Sequence, residues 1–258
     1  MPITALIITL NEQARIEACI KSVLPVADEV LVIDSGSTDQ TAHLAEALGA
    51  RVVQQPWLGF GPQKNLGHAL AAHPFILSID ADEELSPELA RHLLSLKQQG
   101  LNPVVAWQVN RLNGFYGRWA HHGLESPDWK VRLYQSAARW SADGVHETLE
   151  LPAGTQVHSL IGRLLHHSYD TLTDHIARTE KYAQLAAADM LARGKRVGSG
   201  KVVLAPLFTF FKSFVLKGGF RSGGFGLILA TVSAWSKFSK YARVYLAGRA
   251  EGKFNSTK

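Results

Sequence analysis

The chain has 258 residues, 46% of them hydrophobic and 19% charged, with a formal net charge of +5. That length accommodates one or two domains with a real core, and the composition excludes a disordered or collagen-like chain. Its one cysteine, Cys19, excludes an intrachain disulfide framework and fits a reducing compartment.

The first hundred residues alternate strand and helix signals. Ala5-Leu6-Ile7-Ile8 is a continuous apolar run, as expected of a parallel strand buried on both faces. The start of the chain leads straight into it, so no cleavable signal peptide is expected. Residues 12–24 carry Ile16, Ile20, Val23 and Leu24 at helical spacing, with Pro25 as a stop; Cys19, beside Ile16, Ile20 and Val23, reads as core packing. Val30–Ile33 is a second strand, Thr41–Leu48 a helix ended by Gly49, and Arg51–Val53 a third strand. Residues 62–72 form a helix with Pro62 in its first turn, and Phe75–Ile79 a fourth strand. Ser86-Pro87-Glu88 then opens a helix to about Gln99 with an N-cap serine, a first-turn proline and an early acid. This rhythm predicts an α/β chain with a parallel, doubly wound sheet over residues 1–100. Val104–Val109 and Lys130–Tyr134 have no helix between them and are expected to add antiparallel strands. A long helix follows from Thr173 to about Arg193.

Charge is divided unevenly. Residues 193–258 hold 13 Lys and Arg and one acid, Glu251, against 14 and 21 over residues 1–192. Two apolar, aromatic runs lie in this basic segment, Val202–Leu216 and Phe225–Ala230. The first reads as too short and interrupted to span a bilayer. Lysines and arginines around such runs suit helices lying in an anionic membrane interface; a helical pair packed on the domain is the plainer alternative.

Polar clusters follow three of the strands: Thr9-Leu10-Asn11-Glu12, Asp34 to Asp39, and Asp80-Ala81-Asp82-Glu83-Glu84. Open parallel sheets bind ligands beyond the carboxyl ends of their strands. Adjacent carboxylates repel one another and resist burial, a conflict that a divalent cation shared with a phosphorylated substrate removes. A solvated turn leading into the next helix is the alternative, and Glu84 in particular reads as a first-turn acid. Neither GxGxxG nor GxxxxGK[ST] is present, which argues against a dinucleotide fold or a P-loop.

Thr9 to Glu12, Val32 to Thr41, Gln63-Lys64-Asn65 and Asp80-Ala81-Asp82 together resemble the family 2 inverting glycosyltransferases. Val131-Arg132-Leu133, Gly144 to Glu147, His166 to Tyr169 and the tail are similar to the subgroup that adds glucose or a related sugar to the lipopolysaccharide inner core of bacteria. The resemblance implies a GT-A fold, a nucleotide-diphosphate sugar donor with a UDP-sugar favoured, and Mg²⁺ or Mn²⁺. It also implies a lipid-linked glycan acceptor and a cytoplasmic protein lying peripherally on the inner face of the membrane. A catalytic domain over residues 1–192, with a nucleotide half to 100 and an acceptor half over 101–170, precedes a basic helical tail over 193–258.

By the same resemblance Thr9, Asn11, Glu12, Asp34, Lys64, Asp80 and Ala81 line the nucleotide-sugar pocket, and Asp82 with Asp80 holds the metal. Many relatives have a second aspartate where Ser35 stands. In an inverting displacement a carboxylate takes the acceptor's proton. Glu147 is the candidate, with His146 orienting it or completing a metal shell; Glu125 and Asp128 are rivals. His166 or His167 is placed near the diphosphate, whereas His68 is given no role. Two other readings remain: a nucleotidyltransferase, which usually shows a basic glycine-rich loop that residues 9–16 lack, and a nucleic-acid-binding protein acting through the tail. The apolar, aromatic tail argues against the second, so no nucleic-acid partner is expected.

Overall fold

The computed structural model describes residues 1–141 and 148–255, with side chains through residue 249. The chain divides into two compact units, Met1–Leu112 with Asp128–His167, and Asn113–Pro127 with Ser168–Lys258.

The first unit begins with the expected alternation: β1 (Ile3–Thr9), α1 (Ile16–Val23), β2 (Glu29–Asp34), α2 (Thr41–Ala47), β3 (Arg51–Gln54), α3 (Phe60–Leu70) and β4 (Phe75–Asp80). β5 (Glu83–Leu85), α4 (Pro87–Gln99) and β6 (Val105–Phe115) follow. β7 (Arg118–Trp119) lies in the second unit, and β8 (Asp128–Gln135), β9 (Arg139–Trp140), β10 (Leu149–Glu150) and β11 (Gln156–Tyr169) come after it. Among the described residues the main sheet runs β3-β2-β1-β4-β8-β6-β11-β5, with β7 on β6, and β9 pairs β10 separately. β1, β2, β3 and β4 pair in parallel, whereas β8 joins β4 and β6 antiparallel, as does β5 on β11.

The period-two alternation of a strand sorts β1 cleanly. Ile3, Ala5 and Ile7 enter one core cluster with Ile16, Cys19, Ile20 and Val23 of α1, while Leu6 and Ile8 enter another with Leu31, Ile33 and Tyr134. Each fully buried Leu or Ile contributes roughly 1.5–3 kcal/mol. Two glycines bring α3 close to its neighbours. A Cβ on Gly67 would sit 2.3 Å from Leu6 Cδ1, and one on Gly61 would sit 2.0 Å from Ser141 O. The expected N-cap of α4 is present: Ser86 Oγ accepts from Leu89 N at 3.2 Å.

Two features depart from the sequence reading. Glu84 is not a first-turn helix acid: β5 pairs with β11, setting Glu84 opposite Leu165 and Glu83 opposite His166. β11 itself, the 14-residue partner of that strand, carries no strand signal strong enough to predict.

The second unit is mostly helical. α5 (Leu172–Ala192) starts at Thr171, whose hydroxyl accepts from Asp174 N. The expected tail boundary after residue 192 therefore falls at the end of α5, inside this unit. α6 (Ser199–Phe211) passes through a π-helical turn, Lys212–Leu216, and a short 3₁₀ turn, Gly219–Ser222, into the 33-residue α7 (Gly223–Asn255). The first apolar run is thus unbroken helix over Ser199–Leu216, long and apolar enough by composition to cross a membrane, contrary to the reading of an interrupted segment. Its outer face is bare: Leu204 is 66% exposed, Leu207 61% and Phe208 60%.

Candidate functional site

Strand register assembles the site in the first unit. Thr9 lies opposite Asp34 across β1 and β2, and Ile8 opposite Asp80 across β1 and β4. Thr9, Asp34 and Asp80 therefore stand together at the carboxyl edge of the parallel strands, where such sheets take ligands.

The β1 and β2 turns are tied together by backbone and side chain. Asn11, in the left-handed region at φ 55°, donates its N–H to Ser37 Oγ and accepts from Thr38 N, both at 2.8 Å. Glu12 donates its N–H to Thr41 Oγ1 at 2.8 Å, and its carboxylate faces Arg15 at 3.6 Å. Asp34 is fully buried and accepts from Ser37 Oγ at 2.5 Å and from Gln54 Nε2 at 2.7 Å. Thr9 Oγ1 is buried without a hydrogen-bond partner among the described residues, an unmet donor and acceptor at the centre of this edge.

Lys64 is not a solvated helix lysine. It is 4% exposed, with Nζ 4.4 Å over the Trp140 ring and 3.5 Å from Asp80 Oδ1. Trp140 is fixed in turn, because its Nε1–H donates to Tyr134 OH at 3.1 Å. Burial pushes the Tyr134 phenol up to about 12 and the neighbouring His68 ring down to about 4. His68, neutral, bonds Ala138 O through Nδ1 and Tyr134 OH through Nε2.

From Lys64 a string of alternating charges crosses the site. Asp80 Oδ2 accepts from Arg132 at 2.9 Å, and the same guanidinium meets Glu83 Oε1 at 2.6 Å. Glu83, fully buried, also meets Arg111 at 3.2 Å; Arg111 binds Asp128 at 2.8 Å, and Asp128 binds Lys130 at 3.1 Å. Burial opposes ionisation of Asp80, but Lys64 and Arg132 outweigh it and hold the carboxyl far below the usual range. Arg132 is likewise buried and still raised, by Glu83 and Asp80. Arg111 and Arg132 are the residues that sequence reasoning left without a role. The available signal was an arginine within the apolar strand Val131-Arg132-Leu133.

Asp82 stands apart from this string. Its Oδ2 lies 3.3 Å from His166 Nε2, and its carbonyl accepts from His167 N at 3.0 Å. His167 Nε2 reaches Glu84 Oε1 at 2.8 Å. Ala81 is buried between the two aspartates. Among the described residues no three His, Cys, Asp or Glu converge as a metal cage. Asp82 with His166 fits a more open arrangement, in which Mg²⁺ or Mn²⁺ takes few protein ligands and shares phosphate oxygens. Asp80 is less suited as a ligand, since both its oxygens already face cations.

His146 and Glu147 lie outside the described residues. Of the rival bases, Asp128 is held below the usual carboxylate range: burial raises it, and Arg111 and Lys130 more than offset that. Glu125, in the second unit, accepts from Ser233 Oγ at 3.0 Å.

Residues 4–149 match the family model described as Glycosyl transferase family 2. The chain belongs to this family. A glycosyltransferase of Rickettsia bellii, itself uncharacterized, is 32% identical over 252 residues, covering 94% of this chain and 85% of its own. The lipopolysaccharide core biosynthesis glycosyltransferase LpsC of Rhizobium meliloti is 31% identical over 254 residues, covering 95% and 92%. Glucosyl-3-phosphoglycerate synthase of Mycobacterium tuberculosis, solved with Mn²⁺, UDP and glucosyl-3-phosphoglycerate, matches 45% of this chain and 44% of its own at 30% identity and a TM-score of 0.35. The protein is thus a glycosyltransferase of family 2 with the GT-A arrangement, a mixed, mostly parallel sheet flanked by helices.

Proposed function

We propose that this glycosyltransferase moves a sugar, glucose by the subgroup resemblance, from a UDP-sugar to a lipid-linked glycan of the lipopolysaccharide inner-core type, with inversion. The relationship to LpsC along nearly the whole chain supports the acceptor class. The observation that carries the reading is the division of labour at the β4 end: Asp80 neutralised by Lys64 and Arg132, and Asp82 set beside His166 instead.

In this proposal Asp82 and His166 would hold Mg²⁺ or Mn²⁺, and the chemistry the ion would supply when bound is neutralisation of charge on the leaving diphosphate. Lys64 and Arg132 are fixed cations that need no reorganisation as that charge grows. Thr9, whose hydroxyl has no partner among the described residues, is available to the base or ribose; Asn11, Glu12 and Asp34 hold the walls of that pocket, and Asp80 and Ala81 meet the ribose. Glu147 accepts the acceptor's proton, with His146 orienting it. Asp128 is a poor substitute, because a carboxyl stabilised as the anion by two cations resists protonation.

The proposal also sets the protein on the inner face of the cytoplasmic membrane. The exposed Leu204, Leu207 and Phe208 on α6, with Lys201, Lys212 and Lys217 along the same segment, suit a helix lying in an anionic interface.

The test is transfer of labelled glucose from UDP-glucose to a lipid-linked core acceptor, with EDTA or Mn²⁺. Asp82→Asn should keep its fold and lose about a hundredfold or more in turnover. Near-normal transfer by that variant would sink the metal assignment. Glu147→Gln should bind UDP and scarcely turn over, and loss of UDP binding would mark Glu147 as structural.

A further inference from the structure

α5, α6 and α7 of the second unit, with the 124–125 loop, line a cavity of about 270 Å³. Facing helices usually bury apolar side chains, but much of this lining is polar. Thr179 and the half-exposed Tyr182 of α5 line it, as do Ser233, Ser236 and Lys237 of α7. Among the described residues the hydroxyls of Thr179, Tyr182 and Ser236 make no hydrogen bond, and Lys237 makes neither hydrogen bond nor ion pair. Lys237 is half-buried, and its ammonium is pushed below its ordinary range by burial and by the nearby Lys240 and Lys212. One turn of α7 away, Ser233 Oγ donates to Glu125 Oε1 at 3.0 Å.

This pattern has a specific chemical complement. Free hydroxyls exchange hydrogen bonds with a polyol, and a carboxylate accepts from sugar hydroxyls. A half-buried ammonium among other lysines needs an anion. Inorganic phosphate would accept from the lysine and the hydroxyls but bring no polyol donors to Glu125, and a neutral sugar would bring no anion to the lysine. The volume, just under the roughly 300–1,000 Å³ of drug-sized pockets, suits one monosaccharide unit.

We propose that this cavity is a binding site for a phosphorylated sugar, its hydroxyls toward Glu125, Ser236 and Thr179 and its phosphate on Lys237. The same chemistry is presented by a free sugar phosphate and by a phosphorylated lipid headgroup carrying hydroxyls. The site uses none of the residues assigned above to the nucleotide sugar or the metal, and in this reading Glu125 meets sugar hydroxyls here instead of serving as the base.

Calorimetry on the full chain with glucose 6-phosphate tests it, with inorganic phosphate and glucose as partial probes. Saturable binding of glucose 6-phosphate, tighter than either partial probe, is expected. Lys237→Met should weaken it about tenfold or more, while leaving UDP binding unchanged and the melting temperature equal or higher, because a costly half-buried charge is removed. Ser236→Ala, a smaller change, should weaken it by a few fold and guards against misfolding of the first variant. Competition by phosphatidylglycerol vesicles, and not by phosphatidylcholine ones, would assign the headgroup as the source. Retained binding in both would assign the free sugar phosphate. The proposal is overturned if no saturable heat appears up to roughly 10 mM, if both variants bind as the parent does, or if UDP displaces the probe.

Discussion

The two units handle their lysines in opposite ways. In the first unit each lysine meets a carboxylate: Lys21 with Glu17, Lys64 with Asp80, Lys97 with Asp28 and Lys130 with Asp128. In the second, Lys181, Lys195, Lys201, Lys212, Lys217, Lys237 and Lys240 have no carboxylate partner among the described residues. A paired, buried cation is a fixed dipole element that shapes a site. An unpaired, exposed one is hydrated and left open to an anion from outside. The contrast teaches that charge count alone misleads: the body is rich in acids yet internally neutralised where the chemistry lies, and the tail's positive charge is left for something else.

The comparison breaks most visibly at Arg132. Arg132→Met removes the partner shared by Asp80 and the fully buried Glu83. Stranding a buried charge costs about 3–5 kcal/mol, which urea unfolding would read as a drop in midpoint at constant slope. An unchanged midpoint would mean that Arg111 alone neutralises Glu83.

A smaller effect is read by pH. His68 is held at about 4 when folded, against about 6.5 in an unfolded chain. As pH falls below 6.5 the unfolded state takes up this proton first, so stability declines until pH passes the folded value near 4. The residue's share of that decline is roughly 3 kcal/mol. His68→Gln should flatten the acid limb of the stability profile between those values, and an unaltered limb would contradict the burial argument. His175, lowered to about 4 by burial in the second unit, should add a similar component that His68→Gln leaves intact.

The least effect on stability is expected on α6. Leu204→Glu with Phe208→Glu changes two residues that are 66% and 60% exposed, and should shift unfolding by no more than about 0.5 kcal/mol each. Binding to anionic vesicles should fall about tenfold or more. Large destabilisation with intact vesicle binding would show instead that this face packs within the protein.

How much was legible follows from which residues report on themselves. β1, β2 and β4 each hold a central apolar run, Ala5–Ile8, Val30–Ile33 and Phe75–Leu77, buried on both faces, so composition and length alone announce them. The clusters at Thr9, Asp34 and Asp80 could be aligned because parallel strands share one carboxyl edge. β11 was not legible: only Leu160 and Leu164 are buried apolar side chains on its alternate positions, and Gly162 stands between them. The charged string was hidden for a different reason. Arg111, Asp128 and Arg132 are brought to Asp80 and Glu83 by antiparallel pairing of β6, β8 and β4, contacts at long range in sequence that no local pattern encodes. Cys19, read as core, is buried as expected.

The central claim is that Asp82 serves a metal-bridged nucleotide while Asp80 is internally neutralised. Calorimetric titration of UDP into the parent protein and Asp82→Asn, each with and without Mn²⁺, tests it most directly. The account predicts metal-dependent UDP binding in the parent and loss of that dependence in the variant, with the melting temperature retained. Equal Mn²⁺-dependent binding by both proteins would contradict it.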